Sequence, residues 1–152
     1  MFTKLTSTDG RNYALTILRL VLGVVFLAHG LQKTAGWFGG YGYSGTMGYF
    51  THLGIPAPFA FLAIMAEFLG GLGLIVGFLT RIAAFGIFCN MAVAVYMFHS
   101  KIGFFMNWGG NQKGEGYEYH LLAMAVTIAL MIAGAGAFSI DTALSGDSGR
   151  HS

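Results

Sequence analysis

The sequence predicts an all-α integral membrane protein. The expected architecture is a four-transmembrane-helix antiparallel bundle, with a Gly/aromatic-rich outer loop containing a short interfacial helix. Composition is the first reason: of 152 residues, 55% are hydrophobic and only 9% charged, against about 25% charged in ordinary soluble domains. Lipid must therefore solvate most of the chain. Second, the runs 13–31, 59–79, 82–98 and 121–138 are apolar over lengths that cross a bilayer. Helix is required there because it satisfies its own backbone hydrogen bonds where water is absent. Third, Thr80-Arg81 joins the second and third runs almost directly and forces an antiparallel hairpin, while 32–58 and 99–117 form long loops on the opposite side.

The first span is interrupted only by Thr16 and Arg19 and ends in "FLAHGLQK". Lys4 and Arg11 precede it as they would a signal peptide, but the apolar run is long and lacks a small-x-small cleavage site, so it is expected to remain as an anchor. In the loop that follows, Ser44 is placed to cap a helix near Thr46–Leu53, with Met47, Phe50 and Leu53 on one face. Gly40 to Gly45 matches GxGxxG, yet no strand, helix and acidic residue surround it as a dinucleotide site requires. The aromatic rings of this loop suit a membrane interface, or a lid over a site.

Pro56 and Pro58 suit the first turn of the second span. Within that span Gly70, Gly73 and Gly77 follow helical spacing and form a small-xxx-small face for helix packing, against another helix of the chain or a second copy. The third span carries Asn90 and the chain's single cysteine, Cys89, so neither an intrachain disulfide nor a CxxC redox pair can form. Residues 1–141 read as one domain and 142–152 as a flexible tail. Lys4, Arg11, Arg81 and Arg150 lie on the side of the termini, against Lys33, Lys101 and Lys113 on the other, which favours cytoplasmic termini; in a bacterium the expected place is the inner membrane, with the two longer loops facing the periplasm. The net charge of +2 is scattered, and nothing supports nucleic-acid binding.

Charges inside lipid must be paired or neutral. Glu67 falls near the middle of the second span and Arg19 about one turn to the inner side of the middle of the first, within reach of the same depth, so the two are expected to meet as an ion pair that fixes helix register or moves a proton. At the opposite membrane face His29, Lys33, His99, Glu118 and His120 fall at one depth beneath the long loops. Each alone could be an interfacial anchor; together with Glu67 they form the candidate catalytic set. His29, His99, His120 and Glu118 could bind a metal ion, two histidines could ligate a haem, or a quinone or small anion could sit under the loop with His and Lys donating to its oxygens. Glu118 and His120 are two positions apart, so the Glu-x-x-His spacing of bundle di-iron sites is absent.

The stretches "LRLVLGVVFLAHGLQK", "HLGIPAP" followed by "AEFLGGLGLIVGFLTR", a histidine closing the third helix and "GAGAFSID" resemble the DoxX family of small four-helix membrane proteins, over about 15–141. The resemblance implies Arg19, His29, Lys33, Glu67, Arg81, His99 and Asp141 as the family's recurrent polar residues. It also implies a link to thiosulfate:quinone oxidoreductase, hence quinone as ligand and a soluble or membrane redox partner protein. The leading expectation is a quinone-interacting or partner-dependent oxidoreductase subunit. Its alternatives are a non-catalytic scaffold of a larger complex or homo-oligomer, and a small proton-coupled carrier using Glu67.

Overall fold

The computed structural model describes residues 5–145, and regular structure among them is helical. In chain order the helices are α1 (Tyr13–Thr34), α2 (Gly42–His52), α3 (Ala57–Val76), α4 (Thr80–Met97), α5 (Glu118–Ala133) and α6 (Ile140–Leu144), with 3-10 turns at Trp37–Gly39 and His99–Lys101. Three stretches, Tyr13–Thr34, Ala57–Val76 and Thr80–Lys101, are long and apolar enough to cross a membrane, and α5 is a shorter apolar helix. The protein is thus an all-α membrane protein.

Local sequence explains most helix ends. Asn12 caps α1, its side-chain oxygen accepting from the Leu15 amide at 3.1 Å. α3 starts with Pro56 as its cap and Pro58 in the first turn, where a missing amide proton costs nothing. It stops where Gly77 turns left-handed at φ 68°, and α4 starts three residues on. The loop helix differs from expectation: α2 begins at Gly42, so Ser44 lies inside it and caps nothing.

The fourth apolar run behaves differently from the others. Helix occupies 118–133 instead of 121–138, because Gly134 takes φ 87° and Gly136 φ 74°. Residues 134–138 run as irregular backbone, with Ala135 and Ala137 buried. Such backbone is tolerated at membrane depth only when protein encloses it and satisfies its polar groups. Arg19 does much of this. Only 1% exposed, it donates from Nε to the Ala135 carbonyl at 3.0 Å, from Nη2 to Phe138 at 3.0 Å and Ala137 at 3.4 Å, and from Nη1 to Leu74 and Ile75, both at 2.6 Å. Two further charges serve helix ends at the same level. Arg81 donates to the Met131 and Ile132 carbonyls that close α5, and the Asp141 carboxylate accepts from the Leu79 and Thr80 amides at 2.8 and 2.9 Å. The tail therefore begins with an ordered helix, α6, capped by Ser139; residues 146–152 lie outside the described residues.

The tightest helix pair is α1 with α3, and glycines other than the expected ones make it. A Cβ at Gly30 would stand 2.5 Å from the Phe68 Cα, one at Gly71 2.8 Å from the Leu27 Cα, and one at Gly23 2.9 Å from the Ile75 side chain. Gly70 and Gly73 do pack, but against Ile87 and the Phe78 carbonyl on the α4 side. Gly77 belongs to no such face: it is the left-handed cap, and a Cβ there would meet Arg19 Nη1 at 2.9 Å. The core between the helices contains Leu15, Leu22, Phe26, Leu74, Ile87 and Leu130.

Replacing Arg19 by methionine keeps a similar apolar stem and strands five carbonyls. Unfolding followed by circular dichroism in detergent should show Arg19→Met losing on the order of 3 kcal/mol or more, while Val21→Ala, on the exposed face of α1, stays near the parent.

Candidate functional site

Because Gly23 faces Ile75, Leu27 faces Gly71 and Gly30 faces Phe68, each step up α1 is one step back along α3. In this register Glu67 lies opposite Leu31, two residues from Lys33 and twelve from Arg19, or about 18 Å by helical rise. The expected Arg19–Glu67 pair is therefore not formed. Glu67, 5% exposed, is instead paired through Oε2 with Lys33 Nζ, and its Oε1 accepts from Asn90 Nδ2 at 2.8 Å. Three helices are tied at one point by a buried carboxylate with both oxygens engaged. Lys33 can reach it because α1 continues to Thr34 and Gly30 brings α1 against α3 one turn earlier.

A second group stands beside this cluster. The rings of His99 and His120 lie 4.0 Å apart between centroids, and Tyr119 meets His120 edge-on at 5.5 Å. His99 Nδ1 lies 2.7 Å from the Glu115 carbonyl; a carbonyl only accepts, so that nitrogen carries the proton. Two buried atoms here have no hydrogen-bond partner, the Tyr119 hydroxyl and His120 Nδ1. Buried polar atoms are rarely left so, and both residues line one large cavity.

That cavity, about 1280 Å³, is also bounded by His29, Lys33, Glu67 and Asn90. The rest of its wall is mostly apolar and comes from α3 and α4, with Tyr49 and Phe50 of α2 closing over it. His29 is exposed at its edge, one turn before Lys33. Of the expected set, the structure thus gathers His29, Lys33, Glu67, His99 and His120 around one space.

Glu118 departs from that set. Its Oε1 accepts from the Met106 amide at 2.9 Å and the Trp108 indole at 3.3 Å, so it holds the loop before α5. Glu118 and His120 sit two positions apart and point to different sides of the helix. The metal candidates His29, His99, His120 and Glu118 are accordingly not brought to one centre: among the described residues no three His, Cys, Asp or Glu side chains are grouped to hold a metal. Nor can a haem enter between the His99 and His120 rings, which touch each other. Two roles escaped the sequence reading. Asn90 was visible only as the lone strongly polar residue of its run, and Tyr119 carried no signal apart from its neighbours.

These features define a class: a helical membrane protein in which a Lys-Glu-Asn cluster around a buried carboxylate and a pair of histidines face a mostly apolar, ligand-sized cavity. The chain belongs to the DoxX family, whose model matches residues 14–100, from the start of α1 through the His99 turn. Among its relatives, "Inner membrane protein YqjF" of Escherichia coli (strain K12) is 31% identical over 128 residues, 84% of this chain and 89% of the relative. "Putative oxidoreductase CatD" of Bacillus subtilis (strain 168) is 28% identical over 114 residues, 75% of each chain. No solved structure matches the chain.

Removing one member of a buried ion pair leaves the other uncompensated. In thermal unfolding, Lys33→Met should cost on the order of 3 kcal/mol, and adding Glu67→Gln to it should return part of that loss. A double variant as unstable as the two single losses together would mean the pair is not coupled.

Proposed function

We propose that the protein is an inner-membrane subunit of an oxidoreductase that binds a quinone in the cavity and works with a partner polypeptide. The observation that carries this reading is that two residues lining a mostly apolar cavity, Tyr119 and His120, each hold a buried polar atom without a hydrogen-bond partner, the hydroxyl and Nδ1. Such a space suits a molecule with a lipid-soluble body and a few oxygen acceptors. The names of the two relatives, "Inner membrane protein YqjF" and "Putative oxidoreductase CatD", agree with it.

A bound quinone supplies a two-electron, two-proton redox couple. The chain's residues would hold and orient it. Tyr119 donates from its hydroxyl to one oxygen. Lys33 has three ammonium protons, of which Glu67 takes one, so it can donate to the other oxygen. His99 keeps its Nδ1 proton on the Glu115 carbonyl and offers Nε2 toward proton exchange. His29, exposed at the edge, connects the site to water. With a single cysteine, the chain has no dithiol couple of its own, and the reducing equivalents come from the partner. In this reading α5 is the fourth crossing, and the end carrying Arg11 and Arg81 faces the cytoplasm.

A tail-less, water-soluble quinone titrated into the purified protein should bind saturably, read by quenching of intrinsic fluorescence. Tyr119→Phe should weaken it about fivefold to tenfold, the worth of one hydrogen bond, and His120→Leu, which changes the wall beside it, should weaken it as well. Saturable binding untouched by either change, or none at all, would overturn the reading.

A further inference from the structure

The cavity is larger than a quinone ring requires. Pockets for drug-sized ligands occupy about 300–1,000 Å³, and this one is about 1280 Å³. Its extra length has a direction. The lining does not stop at Glu67 and Asn90 but continues along the seam of α3 and α4 to Phe78 and Ile82 at the Gly77 turn. From Glu67 to Val76 that distance is about 14 Å by helical rise.

The floor of this extension is made of small residues. Ala66, Gly70 and Gly73 come from α3, Ala83 and Gly86 from α4. A Cβ at Gly86 would sit in ordinary contact, 3.5 Å from the Ala66 Cβ, so glycine is not needed there for the helices to approach. Its effect is to deepen the channel. Leu69 and Leu72 rise on one side and Ile82 and Phe85 on the other, all four substantially exposed. The channel is therefore apolar and open toward lipid along its length, and it is continuous with the part of the cavity that His120 and Tyr119 line.

We infer that the prenyl tail of the quinone lies in the α3–α4 channel, running from the Glu67–Asn90 level to the Gly77 turn. This rests on the head-group reading above and adds to it the ligand's orientation. Inside a bilayer the tail is already solvated by chains as apolar as leucine, so the channel contributes little attraction. Its contribution is alignment: a tail held along the seam keeps the ring turned toward Lys33, Tyr119 and His120.

The test is photolabelling of the full-length protein in phosphatidylcholine nanodiscs, using a trace of long-tailed quinone with a diazirine at the tail's far end. Peptide mass spectrometry should place the label on residues around Phe78–Ile82, and excess tail-less quinone should displace it, because both compete for one head site. Gly86→Leu should reduce that label several-fold while tail-less quinone still binds within about twofold of the parent. Label spread over the exposed Val21 and Val24 face of α1 would overturn the inference. So would label in the channel that tail-less quinone does not displace but diazirine-free phosphatidylcholine dilutes away, since the occupant would then be bulk lipid. If tail-less quinone binds normally and the tail label is misplaced, only the tail assignment fails. If tail-less quinone does not bind at all, the head-group reading fails with it.

Discussion

The buried guanidinium of Arg19 is the contact on which the rest of the molecule depends. An apolar bundle has no water with which to satisfy a helix end or a stretch of irregular backbone, and this chain has both at one level, the end of α3 and residues 134–138. A planar group with five donors in a fixed fork suits a set of converging carbonyls in a way that an ammonium does not. Arg81 and Asp141 extend the same solution to the end of α5 and the start of α4. Charges that look costly in a membrane sequence are thus used at this end as backbone caps.

With that end locked, the opposite end is free to carry chemistry. The glycine contacts of α1 and α3 fix the register of the two helices, and that register alone decides that Glu67 meets Lys33. Asn90 brings α4 to the same carboxylate. The polar cluster and the cavity are then two sides of one arrangement: helices drawn together at a buried ion pair, and a seam of small residues below it.

Much of the fold was legible because hydropathy and turn residues act locally. The apolar runs, the Thr80-Arg81 hairpin and the proline entry to α3 follow from neighbouring residues alone. The last run could not be read in that way. Gly134 and Gly136 end α5 early because their left-handed backbone lets residues 134–138 turn their carbonyls to a side chain more than a hundred positions away. The candidate site was legible as a depth, since helix ends at one membrane face bring His29, Lys33, His99 and His120 to a common level. Its pairing was not. Depth along each span brings the Arg19 side chain within reach of Glu67, whereas the long loop between α1 and α3 lets the helices slide, and the contacts of Gly30 and Gly71 set the offset. Glu118 was misread because depth does not specify azimuth: it shares a level with His120 but faces the Met106–Trp108 loop.

The early end of α5 reaches beyond the protein itself. Sixteen residues of helix span about 24 Å, against a hydrocarbon core of about 30 Å. With α5 as a crossing, one flank of the bundle is shorter than the other, where α1 has 22 residues. If α5 crosses as proposed, lipid beside it thins to meet the short helix, at a cost that grows with each ångström of mismatch and that shrinks when a second short helix shares the deformed patch. In that reading the glycines that give Arg19 its carbonyls also shape the surrounding bilayer, and bias how the protein distributes among membranes of different thickness.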